Sequence, residues 1–203
     1  MKQTILYLHG LPIPKHVMKS MQNAEQYVST FKTVEHTFKN EFDVINVKFK
    51  HDSPLSAIAV INDLCKQYNV AAIIANSMGG YLACRINKPA ILINPVVQAL
   101  KSSVVIEWLS TLKSKNIIAR QCLEQFDFQL LSNKNVVLHN KIAIVGVNDK
   151  LLRATDDNKV ELFLGNDNCL FVNAEHVIEA NLLEQSLLKA FDMLKLKQYN
   201  KRK

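Results

Sequence analysis

The chain predicts an α/β fold, a mostly parallel sheet flanked on both faces by helices. Short apolar runs recur at Thr4–Leu8, Ala71–Ala75, Pro89–Ile93, Lys141–Val145 and Cys169–Val172. They are continuous rather than alternating, as strands buried on both faces require. Helical periods fill the gaps between them, and the connections are short. Strand, helix, strand, helix in that order argues for a doubly wound parallel sheet with right-handed crossovers.

Composition bounds the rest. With 203 residues, 48% of them hydrophobic, the chain is long enough to bury a full core, and residues 1–203 read as one domain with no Pro/Gly/Ser linker. The opening MKQTILYLHGLPIP is too short in its apolar run for a signal segment, and no stretch reaches the ~18 apolar residues a bilayer span needs. A soluble cytoplasmic protein is expected. Cys65, Cys84, Cys122 and Cys169 are widely spaced with no C-x-x-C pair, so they read as buried small hydrophobes in a reducing compartment. The net charge of +7 owes much to the tail KLKQYNKRK from Lys195 to Lys203, which reads as a solvated end. With no basic groove interleaved with aromatics, a nucleic-acid partner is not expected.

Taken in order, Thr4–Leu8 is a strand ending at His9-Gly10-Leu11-Pro12, with His9 a loop-supporting residue rather than a base. Val17, Met21, Ala24, Val28, Phe31, Val34 and Phe38 keep a helical period. Phe42 to Phe49 alternates like a strand. Asp52 or Ser53 caps a helix over Leu55–Tyr68, and His51 is a loop histidine at the strand's end. Residues 96–132 read as a crossover helix and a small helical cap, with Trp108 and Phe126 or Phe128 either lining a pocket or packing the crossover. Asp156 and Asp157 fit the first turn of a helix running to Leu164 and stopped by Gly165. Ile178 to Leu196 is a long amphipathic helix.

The chemistry gathers at AAIIANSMGGYLA, residues 71–83, where a buried strand meets a helix beginning near Gly79. A serine at such a turn is lifted clear of the sheet if the residues two before and two after it are small, here Ala75 and Gly79. This is the mechanics of a nucleophile elbow, with Ala75 in place of its first glycine. The N–H of Met78 then faces the reacting centre. Leu11, after the strand-ending Gly10, offers a second donor for an oxyanion. The same residues also read as a strand, an N-cap serine and a glycine pair. Asp149 follows the strand Lys141–Val145, and His176 follows Cys169–Val172. A serine hydroxyl becomes a nucleophile when a neutral imidazole takes its proton and a carboxylate fixes the imidazole's tautomer. Ser77, Asp149 and His176 stand in the chain order of the α/β-hydrolases, each just past a strand's carboxyl end.

The strings ILYLHGL, NSMGGYLA, LINPVV, VGVNDKLL and AEHVIEA, in order over nearly the whole chain, together resemble the YqiA-like group of small bacterial α/β-hydrolase esterases. Ser-x-Gly-Gly-Tyr followed by Asn-Pro is the most specific part. The resemblance implies the α/β-hydrolase fold, Ser77 as nucleophile, Asp149 as acid, His176 as base, and hydrolysis of small acyl esters or thioesters with no cofactor. Two positions depart from the group: Ala75 replaces a glycine or serine, and Asn173-Ala174-Glu175 replaces Gly-Gly-Asp or Gly-Gly-Asn before the histidine. A non-catalytic binding or scaffolding module on the same fold is the alternative reading.

Overall fold

A computed structural model describes residues 2–11, 30–112, 115–131, 138–152 and 159–200. Its strands are β1 (Gln3–Leu8), β2 (Phe42–Asn46), β3 (Val70–Asn76), β4 (Ala90–Ile93), β5 (Lys141–Gly146) and β6 (Cys169–Val172). They form one six-stranded sheet in the order β2-β1-β3-β4-β5-β6, and every neighbouring pair is parallel. The helices are α1 (Thr30–Phe38), α2 (Pro54–Gln67), α3 (Met78–Ala83), α4 (Ser103–Thr111), α5 (Asn116–Leu131), α6 (Val160–Leu164) and α7 (Ala180–Asn200).

The period-2 geometry of the strands sorts their side chains into two cores. Leu6, Leu8, Ile73, Ala75, Leu92, Ala143 and Val145 face Ala57 and Ile61 of α2 and Leu82 of α3. Ile5, Tyr7, Ala72, Ile74, Ile91, Ile93, Ile142 and Ile144 face Val34 and Phe38 of α1 and Leu183, Leu187 and Phe191 of α7. Both faces are therefore covered, which is why the strands read as unbroken apolar runs. A third cluster joins Met78 and Tyr81 of α3 to Val105 and Leu109 of α4 and Leu123 and Phe126 of α5.

Several boundaries differ from expectation for local reasons. β2 stops at Asn46 instead of Phe49 because β1, its partner, ends at Leu8; the last rung is Val47 N–H to the Tyr7 carbonyl at 3.0 Å. α3 ends at Ala83, short of Ile86. There the fully buried Lys141 ammonium donates to the carbonyls of Ile86 (2.9 Å) and Lys88 (2.6 Å), and burial pushes its pKa down to about 8. α7 begins at Ala180 because the Glu179 carboxylate accepts from the N–H groups of Asn181 and Leu182. Ser53 is the N-cap of α2, with Pro54 at the first helical position. Gly165, at φ 80°, ends α6, as expected, although that helix starts only at Val160. Asp156, Asp157 and residues 12–29 lie outside the described residues. None of the four cysteines is in a disulfide, and Cys84, Cys122 and Cys169 are buried.

The strand order reverses at β1, which has β2 on one side and β3 on the other. In doubly wound sheets the loops at the carboxyl ends of two such strands part to leave a crevice. Here the β1 loop is fixed by aromatic stacking: the His9 ring lies on Phe49, centroids 4.5 Å apart, and against the edge of His51 at 4.8 Å. His51 Nε2–H donates to the His9 carbonyl at 3.2 Å, so both histidines act as loop supports. Burial, and then the neighbouring His9, pull the pKa of His51 down to about 4, against the opposing hydrogen bond.

Two predictions follow from this packing. A Cβ on Gly79 would stand 2.5 Å from the Leu8 carbonyl oxygen and 2.8 Å from that of His9. Gly79→Ala must push β1 and α3 apart, and urea unfolding should show a loss of about 1–3 kcal/mol or more. Because His51 is neutral in the fold down to pH about 4 but charges near pH ~6.5 when unfolded, its contribution is fully present above ~6.5 and lost as pH falls through that window. His51→Gln should therefore narrow the stability difference between pH 7 and pH 4.5 relative to wild type. Parallel pH profiles would refute the assignment.

Candidate active site

Ser77 forms the corner between β3 and α3, with φ 49° and ψ −115°. A non-glycine residue at positive φ is strained and persists only where its surroundings hold it. Its N–H donates to the Ile93 carbonyl at 2.8 Å, and its own carbonyl accepts from Gly80 at 2.9 Å and Val96 at 3.2 Å. Gly10 packs against it from the β1 side, where a Cβ would lie 2.9 Å from Ser77 Cβ. Ala75, which stands where the elbow pattern has glycine, is fully buried in the core cluster with Ala57 and Ile61 of α2 and Leu82 of α3. Ser77 occupies the N-cap position, yet its side chain makes no capping hydrogen bond. The hydroxyl is thus not consumed by the helix.

The histidine loop is zipped to the end of β5. Val147 N–H donates to the Val172 carbonyl and Asn148 N–H to that of Ala174, both at 3.0 Å. The loop passes so close that a Cβ on Gly146 would sit 2.6 Å from the carbonyl oxygens of Ala174 and Glu175. Within this arrangement His176 Nδ1 bonds Asp149 Oδ2 at 2.8 Å, with the two side chains 7% and 2% exposed. The other carboxylate oxygen accepts from the N–H groups of Leu151 (2.9 Å) and Leu152 (3.1 Å). Asp149 therefore accepts three hydrogen bonds, and its carboxylate fixes the proton of the imidazole on Nδ1.

Ser77 and His176 line one cavity of ≈ 20 Å³, together with Leu11, Val96, Ser102, Val104, Val105, Leu151 and Leu152. Of the residues singled out in the sequence, the fold brings Ser77, His176 and Leu11 to this cavity and holds Asp149 directly behind His176. Met78 opens α3, so its N–H has no acceptor within the helix. Trp108, Phe126 and Phe128 do not line it. Trp108 packs against the third core cluster, Phe126 is buried there, and Phe128 is 64% exposed.

Asn94 was legible only as a strand end, yet it holds the site together. It has φ 40°, is 3% exposed, accepts from Gly146 N–H at 2.7 Å, and donates through Nδ2 to the carbonyls of His176 (2.8 Å) and Glu175 (3.2 Å). The signal for it is an Asn-Pro at a strand's carboxyl end, where asparagine tolerates a left-handed backbone that other residues avoid. Among the described residues no group of His, Cys, Asp and Glu could hold a metal ion, and no helix is long and apolar enough to cross a membrane.

No family model and no curated protein matches the chain in sequence. Solved structures do match in fold. MGS-MChE2, an alpha/beta hydrolase enzyme from the metagenome of lagoon sediments at Mar Chica, Morocco, is 14% identical, with 98% of this chain and 93% of that one covered at TM-score 0.56. A protein of Xanthomonas campestris pv. campestris assigned to the alpha/beta hydrolase superfamily is 12% identical, covering 98% and 99% at TM-score 0.57. The thioesterase domain from the curacin biosynthetic pathway is 14% identical, covering 97% and 91% at TM-score 0.52. At these identities the likeness concerns architecture, and with the parallel sheet and the strained corner after β3 it establishes that the chain has the α/β-hydrolase fold.

Proposed function

We propose that the chain is a serine hydrolase that cleaves a small acyl ester or thioester through an acyl-enzyme on Ser77, with His176 as base and Asp149 as the acid behind it. One observation carries the reading: an unused hydroxyl on a strained corner shares a cavity with an imidazole whose far nitrogen is held by a buried carboxylate. With the proton fixed on Nδ1, Nε2 is the nitrogen left to accept one. His176 Nε2 takes the Ser77 proton as Oγ bonds the substrate carbonyl carbon, and the carbonyl electron pair moves onto oxygen. The N–H groups of Leu11 and Met78 receive that oxyanion. Collapse expels the alcohol or thiol with the proton from His176, and water then releases the acid by the same steps in reverse roles.

In this reading the α4–α5 segment is the small helical cap of a single domain, and Leu11 and Val96 with the first turn of α4 form the acyl side of the cavity. Neighbours described as an alpha/beta hydrolase enzyme and a thioesterase domain support this chemistry, and the strings named above support a YqiA-like assignment within it. Four cysteines that form no disulfide support a reducing compartment such as the cytoplasm.

Ser77→Ala should lower turnover of p-nitrophenyl acetate by about 10⁶-fold and abolish labelling by a fluorophosphonate probe. An unlabelled wild type would instead identify an inert binding module. Asp149→Asn keeps the shape but reverses the imidazole tautomer, so kcat should fall about 10⁴-fold while Ser77 remains in place. Wild-type kcat in that variant would remove Asp149 from the mechanism.

A further inference from the structure

The walls beside Ser77 decide which acyl group it can carry. The cavity it shares with His176 measures ≈ 20 Å³. A single water takes up roughly 10–15 Å³ of such a space. One group of that size fits, a methyl for instance, and a chain does not. Val96, Val104, Val105, Leu151 and Leu152 make the wall aliphatic, and the hydroxyl oxygen of Ser102, also on the wall, is buried. A charged or hydroxylated acyl group would lose its water there and find no partner beyond the reacting groups themselves.

A small space limits the substrate only if its walls cannot retreat. Here each wall is tethered to the catalytic groups or to the core. Val96 N–H donates to the Ser77 carbonyl at 3.2 Å, which fixes it to the corner. Leu151 and Leu152 donate their N–H groups to Asp149 Oδ1 at 2.9 and 3.1 Å, so the carboxylate that holds the imidazole through its other oxygen also holds this wall. The chain leading into α4 is gripped at Ala99 and Leu100, whose N–H groups donate to the Asp127 carboxylate at 3.0 and 2.9 Å. Behind the wall, Val105 and Leu152 are buried in the third core cluster with Leu109 and Leu123, which leaves nowhere to move.

We propose that this cavity is the acyl subsite and that its tethered walls restrict Ser77 to the acetyl group of an ester or thioester; this deepens, and rests on, the reading of Ser77 as nucleophile. Val104 and Leu151 set the limit where it can be altered, because they are the half-buried members of the aliphatic wall. Val105, Val96 and Leu152 are buried and serve the core as well.

The test compares kcat/KM for p-nitrophenyl acetate, propionate, butyrate and hexanoate, each divided by the ester's own rate with hydroxide. Acetate should be the best substrate, and butyrate should be slower by about tenfold or more, because two extra methylenes must force a packed wall. Val104→Ala and Leu151→Ala should each raise the butyrate-to-acetate ratio about tenfold over wild type, and Val104→Leu should lower the propionate-to-acetate ratio. A ratio does not depend on how much of a variant is folded, and if one truncation yields no soluble protein the other carries the same expectation. Butyrate or hexanoate hydrolysed as fast as acetate by wild type would overturn the proposal. So would a preference for acetate that neither truncation relaxes, since the limit would then lie elsewhere. If Ser77→Ala cleaves the acetate ester like wild type, the nucleophile reading falls and takes this proposal with it. If hydrolysis requires Ser77 but longer acyl groups are preferred, this proposal alone falls.

Discussion

The site depends on one steric constraint: at the carboxyl edge of the sheet, backbones from different strands must touch with no side chain between them. Four of the chain's five glycines, Gly10, Gly79, Gly80 and Gly146, stand at that edge, each where a Cβ would come within 2.5–2.9 Å of a neighbour. Gly79 lets the β1 loop lie on α3, and Gly146 lets the His176 loop lie on β5. Interiors are close-packed, and a misfit of one methyl must be absorbed by moving an element. Three chain-distant loops thereby reach one cavity without the long side chains that would otherwise be needed to span the gaps.

Steric closeness alone does not orient groups; hydrogen bonds do that. Asn94 ties the ends of β4 and β5 to the carbonyls of Glu175 and His176, so the imidazole is held from its backbone while Asp149 holds its ring. This explains how the histidine loop manages without a glycine pair before His176. The room that such glycines would provide comes from Gly146 across the gap, and Asn94 supplies the grip. A neutral amide suits this role because it both donates and accepts, whereas a carboxylate there could not donate to two carbonyls.

Much of this was readable from the residues alone. A strand buried on both faces has few alternatives, so β1, β3, β4 and β5 stood out as apolar runs; the edge strand β6 read the same way although Phe171 is exposed. Placing serine, aspartate and histidine just past such strands needed only the rule that parallel strands present their carboxyl ends together. What stayed hidden was relational. β2 ends where its partner ends, a buried lysine takes the carbonyls of Ile86 and Lys88 in the turn that follows α3, and neither partner is near in sequence. Asn94 and Ser102 were equally opaque, because a polar residue at a strand end or a helix start has an ordinary local use. Only the fold reveals that Asn94 bonds residues more than fifty positions away and that Ser102 makes no cap.

Helix α5 is tied to the elbow helix by buried polar groups. The buried Tyr81 hydroxyl of α3 donates to Asp127 of α5 at 2.6 Å, and that carboxylate also accepts from the N–H groups of Ala99 (3.0 Å) and Leu100 (2.9 Å). Arg85 donates to the carbonyls of Tyr81 and Phe126, both at 2.7 Å, with its guanidinium 4.2 Å from one ring centre and 4.3 Å from the other. Burial pushes the Tyr81 phenol well up, which keeps it a donor at neutral pH. Lifting α5 would carry the Asp127 carboxylate away from Tyr81, Ala99 and Leu100 and leave the half-buried Arg85 guanidinium without the Phe126 carbonyl, and breaking hydrogen bonds to charged groups costs more than breaking neutral ones. α3 and α5 must therefore move together, so any displacement of this segment is transmitted to the corner that carries Ser77.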